Sequence, residues 1–150
     1  MWESLWGEHM HHGFYGRDGK ERKYNKQAQI DLIEEALKFA KVKNPKSIVD
    51  VGCGIGGSSR YLCKKYEASC TGINLSTYQV ARATQLAREQ NISHLCKFMV
   101  ADALKMPFDD NSFDLVYSME SGEHMPDKEE FIRECVRVLK PGGTLLLVAW

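Results

Sequence analysis

The chain has 150 residues, about one domain's worth, and 43% of them are apolar, enough to build a core. Its 20 Lys and Arg balance its 20 Asp and Glu, so no net field favours nucleic acid or an anionic membrane. No apolar run is long enough to span a membrane, and Met1-Trp2-Glu3-Ser4-Leu5-Trp6 resembles neither a signal peptide nor a transit sequence.

Residues 1–26 show no clear period. Within them, Leu5-Trp6-Gly7-Glu8-His9-Met10-His11-His12-Gly13-Phe14-Tyr15-Gly16 is dense in aromatics and imidazoles, and 17–26 is charged and loop-like. Three histidines so close together invite a metal reading. No carboxylate or thiolate cluster accompanies them at useful spacing, and no helix would align them, so no metal site is expected. The expectation is a lid over a small-molecule site, where aromatics and imidazoles supply stacking and polar contacts together.

Residues 27–42 place Ile30, Ile33 and Leu37 on one face of an amphipathic helix, and Pro45 follows its end. Residues 48–51 form a β-branched run that reads as a buried strand, and Gly52-Cys53-Gly54-Ile55-Gly56-Gly57 follows it as a glycine turn into a helix over 58–66. A second strand is expected over 68–74. Ser76 then caps a helix over 77–90, with Asn91 as a left-handed terminator. Residues 96–100 read as a third strand, 105–112 as turn chemistry and 113–118 as a fourth strand. After Met119-Glu120-Ser121-Gly122-Glu123-His124-Met125-Pro126, Asp127 caps a helix that runs to 139, with Glu130 completing a capping box. Pro141-Gly142-Gly143 turns the chain into a last strand, 144–150. This alternation predicts a Rossmann-like, doubly wound, right-handed and mainly parallel α/β sheet over 27–150, with 1–26 as its lid. The five cysteines are odd in number and lack CxxC spacing, so they read as reduced and buried, as in an intracellular protein.

A strand, a glycine turn and a helix in succession open a nucleotide-type crevice. The spacing Gly52-x-Gly54-x-x-Gly57 alone also fits a dinucleotide fingerprint. Asp50 argues against that ligand, because its charge is awkward beside a pyrophosphate and suited to an α-ammonium. Asn74 stands where an NAD enzyme places an acid for the ribose. Asp102 closes the third strand with an acid for an adenine amino group. The balance favours S-adenosylmethionine over NAD. Gly52, Gly54 and Gly56 would let the backbone approach its methionine and ribose portions, with Asp50 on the ammonium and Asn74 on the ribose. Asp102 and the Ala103 backbone would meet the adenine edge, and Ser118 would lie beside the carboxylate or methyl.

With these residues placed, the chain resembles a class I S-adenosylmethionine-dependent methyltransferase, through Asp50-x-Gly52-x-Gly54, Asp102, Glu123-His124-Met125-Pro126-Asp127 and Pro141-Gly142-Gly143. A narrower resemblance is carried by three stretches: Trp6 to Tyr15, Gly52 to Tyr61 and Ser118 to Lys128. Together they are similar to the γ-tocopherol C-methyltransferase group, which includes quinol and alkaloid N-methyltransferases. The resemblance implies methyl transfer onto a ring carbon of a prenylated phenol or quinol, in a plastid or the cytoplasm. An alkaloid N-methyltransferase and a non-catalytic S-adenosylmethionine-binding fragment are the alternatives. Family members continue through two more strands and an acceptor cap, so the 150 residues read as the N-terminal portion of such an enzyme, with the last strand an exposed apolar edge.

A phenol titrates near ~10, so a general base beside its hydroxyl would help methyl transfer. The candidates are His124, Glu120 and the His9/His11/His12 group. Against catalysis, His124 would order the start of its helix or touch the cofactor, and Glu120 would hydrogen-bond the lid.

Overall fold

The computed structural model describes residues 2–149; Met1, and Trp150 at the end of the expected last strand, lie outside the described residues. A short helix, α1 (Trp2–Trp6), and a wrapped segment lead into α2 (Asn25–Phe39). Then come β1 (Ser47–Val51), α3 (Gly57–Tyr66), β2 (Ser69–Asn74), α4 (Thr77–Glu89) and β3 (Cys96–Val100). The chain continues through β4 (Phe113–Met119), a 3-10 turn (Gly122–His124), α5 (Lys128–Val138) and β5 (Leu139–Val148). All the strand pairs are parallel, in the order β3-β2-β1-β4-β5. The winding reverses between β1 and β4, which is where such a sheet opens a crevice beyond the carboxyl ends of its strands.

Apolar patterning builds this sheet from the inside out. Ile48 of β1 joins Ile33 and Leu37 of α2, Leu62 of α3 and Ala87 of α4 in one core. Val49 and Val51 join Phe131, Cys135 and Val138 of α5 in the other. With both faces covered, β1 reads as a near-continuous apolar run interrupted only by Asp50. Each of the Ile, Leu, Val and Phe side chains among these core residues contributes about 1.5–3 kcal/mol through burial. The five cysteines are free and buried, three of them (Cys63, Cys70 and Cys96) within the first core. No described helix is long and apolar enough to cross a membrane.

Local signals at the element ends hold unevenly. Ser76 Oγ accepts from Gln79 N at 3.3 Å, and Asn91 is left-handed at φ 57°, both as the sequence indicates. Asp127 accepts from Glu130 N at 2.9 Å, but the Glu130 carboxylate turns to Arg133, so the capping box is only half made. The helix expected over 27–42 runs Asn25–Phe39, because Lys41 adopts a left-handed φ of 52° just past its end. The last strand begins at Leu139, before the glycines. Phe113 pairs with Leu139 and Leu115 with Thr144, so two steps along β4 match five along β5. Pro141-Gly142-Gly143 is therefore a bulge inside a strand, where the residue types alone had indicated a turn ahead of one.

Candidate functional site

The loops leaving β1, β2, β3 and β4, together with Met10 and His11 from the N-terminal strap, enclose a cleft of about 480 Å³. That volume lies within the range of small-molecule sites. Its floor is Asp50, 2% exposed. Ser59 Oγ donates to Asp50 Oδ2 at 2.5 Å, and burial pushes the carboxyl up to about 7. Burial has stripped this group of water, and no cationic side chain is among the groups that perturb it. A ligand cation beside it would restore its ionised form.

Gly52 and Gly54 border the cleft. Gly52 needs its bare Cα on two counts: φ is +78°, and the Ser121 side chain occupies the place of a Cβ. Gly56 does not border the cleft. It caps the start of α3, packed against the Phe98 ring and the Arg60 guanidinium. Gly57, which the sequence offered only as a spacing match, does border it, and the Glu8 carbonyl of the strap takes the place of its Cβ.

Asn74, Asp102 and Ala103 line the opposite side. The Asn74 amide is preorganised by α4: Nδ2 donates to Gln79 Oε1 at 2.6 Å, and Oδ1 accepts from Ser76 N at 3.3 Å. Asp102 Oδ1 accepts from Leu104 N at 2.9 Å, a turn contact that fixes the carboxylate and leaves Oδ2 outside it. Ser118 is 2% exposed and does not border the cleft. Its hydroxyl donates to the Val51 carbonyl at 2.9 Å and lies 2.7 Å from the Ser121 hydroxyl. It therefore pins the end of β4 to β1, and Ser121 is the serine that reaches the cleft wall.

Glu120 and His124 also border the cleft, from the loop after β4. Glu120 has a left-handed φ of 52°. Its Oε2 accepts from the His12 backbone N–H at 2.9 Å and lies 2.8 Å from His12 Nδ1. That carboxylate is a clasp on the strap. His124 lies at the exposed rim, in the 3-10 turn.

The strap itself is held from below. Gln29 of α2, 3% exposed, directs Nε2 to the carbonyls of His9 at 2.5 Å, His11 at 2.9 Å and Trp6 at 3.2 Å. Glu8 accepts from Arg60 at 3.3 Å and Gln90 at 3.2 Å. His9 and His11 are each 5% exposed, their rings edge-on at 5.5 Å. Burial lowers both, His9 to about 4, so both are neutral near pH 7. The three histidines do not converge, and no described group of three His, Cys, Asp or Glu could hold a metal.

Sequence reasoning missed Gln79, Ser121 and the methionines Met10, Met119 and Met125, all of which border the cleft. Met119 and Met125 flank the Glu120–His124 loop, and Gln79 lies three residues past the Ser76 cap, so their positions were readable although their direction was not.

Residues 49–147 match the protein family described as "Methyltransferase domain". The chain is 55% identical to the chloroplastic tocopherol O-methyltransferase of Arabidopsis thaliana, aligning over all of this chain and 46% of that protein. It is 43% identical to ajmaline N-methyltransferase of Rauvolfia serpentina, over 99% of this chain and 53% of that one. The chain thus spans about half the length of these relatives. Among solved structures, a putative sarcosine dimethylglycine methyltransferase from Galdieria sulphuraria superposes with a TM-score of 0.87 at 27% identity, covering 97% of this chain and 56% of that one. The cyclase SpnF superposes at 0.84 with 36% identity, over 92% and 50%.

Proposed function

The chain belongs to the methyltransferase-domain family, and from that premise we propose that it is the S-adenosylmethionine-binding part of a small-molecule methyltransferase acting on a tocopherol-like phenol. The observation that carries the cofactor reading is Asp50, a buried carboxyl on the crevice floor that lacks a cation. When bound, S-adenosylmethionine supplies an electrophilic methyl group on a positively charged sulfur. Asp50 would receive the α-ammonium, and Gly52 and Gly54 would admit the chain of the amino acid. The remaining lone pair of Asn74 Oδ1 would take a ribose hydroxyl, and Asp102 with Ala103 would take the adenine edge. Gly56 and Ser118 would serve from behind the cleft wall, by shaping the turn and anchoring β4.

On the acceptor side, the strap forms a fixed wall that keeps bulk water from the reacting groups. Glu120 works as a positioning residue, since its carboxylate is engaged by His12, and His124 at the rim touches the bound molecule. The methionines suit a flat apolar ring, because a thioether adapts its shape and packs well on aromatics. The names of the relatives support a phenolic acceptor and a plastid setting. The likeness to ajmaline N-methyltransferase supports an alkaloid amine as the second reading.

Calorimetric titration with S-adenosylhomocysteine and, separately, with NADH tests the first step. Binding of the former alone is expected, and binding of NADH alone would overturn the reading. Labelled S-adenosylmethionine offered with tocopherols, quinols and alkaloid amines to the full-length protein then tests the acceptor. Mass analysis shows whether the methyl sits on ring carbon, oxygen or nitrogen, and turnover of amines alone would replace the phenol with the second reading.

A further inference from the structure

The cleft holds one imidazole whose chemistry is already decided by its surroundings. His11 is 5% exposed and lies in the cleft wall between Met10 and the Glu120 clasp. Its Nδ1 lies 2.7 Å from the His12 carbonyl oxygen. A carbonyl only accepts, so the ring proton must sit on Nδ1, and Nε2 carries a lone pair. Nε2 is shielded from solvent and has no hydrogen-bond partner. A buried acceptor left this way costs about 1–3 kcal/mol, a cost that a ligand donor would offset. Gln29 fixes the carbonyl of His11 from below, and the Glu120 carboxylate fixes the His12 backbone on its other side. The imidazole is thus oriented by its neighbours before any ligand arrives.

We propose that His11 Nε2 receives the hydrogen bond, and then the proton, of the acceptor's hydroxyl. This rests on the methyltransferase reading above and goes beyond it by assigning the base. The other two candidates that the sequence offered, outside the histidine group of the strap, are placed less well for the task. The Glu120 carboxylate is committed to His12, and His124 lies at the exposed rim. His9 and His12 on the strap, Glu120 and His124 on the loop after β4, and Asp50, Cys53 and Asp102 of the cleft lining are the titratable groups around this ring.

A neutral imidazole is the state a base requires, and burial keeps His11 in it. A phenol, near ~10, is far less acidic than this imidazolium. Nε2 therefore acts first as a hydrogen-bond acceptor. It takes the proton as a ring carbon forms its bond to the methyl group. The S–CH3 bonding pair would stay on sulfur, and the O–H pair would become the C=O of a dienone. Transfer of that carbon's own proton to the oxygen would restore the phenol. The resulting imidazolium carries N–H on both nitrogens and returns its proton to water when product leaves.

The test is nitrogen NMR of the histidine-labelled chain, first with S-adenosylhomocysteine and then with trimethylhydroquinone as the phenol probe, alongside calorimetry of both ligands. The expected result is a shift of the His11 Nε2 signal, and no other imidazole signal of comparable size, when the probe joins the complex. His11→Asn keeps an N–H for the His12 carbonyl and removes the lone pair. It should bind the probe about tenfold more weakly, the loss of one hydrogen bond, with unchanged S-adenosylhomocysteine affinity. A silent His11 signal, a probe that fails to bind, or an Asn variant that binds it as well as the native chain would overturn the assignment while leaving the methyltransferase reading in place. Failure to bind S-adenosylhomocysteine would overturn both.

Discussion

The two walls of the cleft are built in different ways. On one side, Asp50, Gly52, Asn74, Asp102 and Ala103 sit at the ends of β1, β2 and β3, and their fixing contacts come from residues a few positions away: Ser59, Ser76 and Leu104. On the other, Met10 and His11 are held by Gln29, by the Gly57 gap and by Glu120, which meets His12 across 108 residues of sequence. The first wall is a property of the strands that carry it. The second exists only when distant segments meet, and it lies around the groups expected to face the acceptor. A fold can therefore keep its cofactor chemistry while the strap and the loop after β4 are altered for a new acceptor.

The sharpest way to break this contrast is to strike each wall separately. Asp50→Asn should weaken S-adenosylhomocysteine binding by about 1.5–3 kcal/mol, the range for a charge-assisted hydrogen bond, or roughly tenfold to a hundredfold in Kd by calorimetry. The same substitution should leave the strap unchanged. Its effect on the unliganded fold runs the other way. The folded carboxyl titrates at about 7, above ~3.9 for an unfolded Asp, so the unfolded chain releases its proton first as pH rises. Native stability should fall between about pH 4 and 7 relative to the Asn variant, with the two converging below pH 4. Parallel melting curves across that range would show that Asp50 is already compensated in the free protein.

Gln29→Leu strikes the second wall. It removes the donor shared by the Trp6, His9 and His11 carbonyls and should destabilise the strap by about 1–3 kcal/mol, the cost of unsatisfied buried acceptors. Hydrogen exchange should rise over residues 6–14 while β1 and β4 stay protected. Equal loss of protection in the sheet would mean that the strap is part of the core and not a separate wall.

How much of each wall could be read in advance follows from the same division. The winding of the sheet, the Ser76 cap and the placement of Asp50, Asn74 and Asp102 all come from patterns that close within one strand–loop–helix unit. The serine at the end of β4 shows the limit. Ser118 was expected beside the ligand, but strand alternation turned its hydroxyl to Val51 and left the wall to Ser121. Gly56 and Gly57 exchanged places for a similar reason, since one faces Phe98 and the other the strap. The dense run of imidazoles and aromatics in 5–16 gave the expectation of a lid. Nothing local could say that His12 would find Glu120, that His11 would keep an unpaired nitrogen, or that Gln29, one polar position in an amphipathic helix, would hold the segment down.

A smaller effect is expected from Asp102→Ala. Part of this carboxylate's work is the turn contact with Leu104 N, and the loss of a single hydrogen bond to the adenine edge should cost about 0.5–1.5 kcal/mol of S-adenosylhomocysteine affinity. Unchanged calorimetric binding would remove Asp102 from the first wall and leave it as a turn residue.

Smallest of all should be the direct energetic effect of Glu120→Gln. The pair it breaks has the His12 side chain 58% exposed and Glu120 9% exposed, and such half-solvated pairs are worth about 0–1 kcal/mol. The amide oxygen can still accept from the His12 backbone N–H, so the loop should keep its shape. What should change is salt dependence at a pH where His12 carries a proton, because only a charged pair is screened. Hydrogen exchange of the native strap should increase with added salt, and the variant's should be flat. If salt leaves the native strap unaffected, the clasp works through the backbone hydrogen bond alone, and the left-handed turn at Glu120, rather than its charge, is what joins the two ends of the chain.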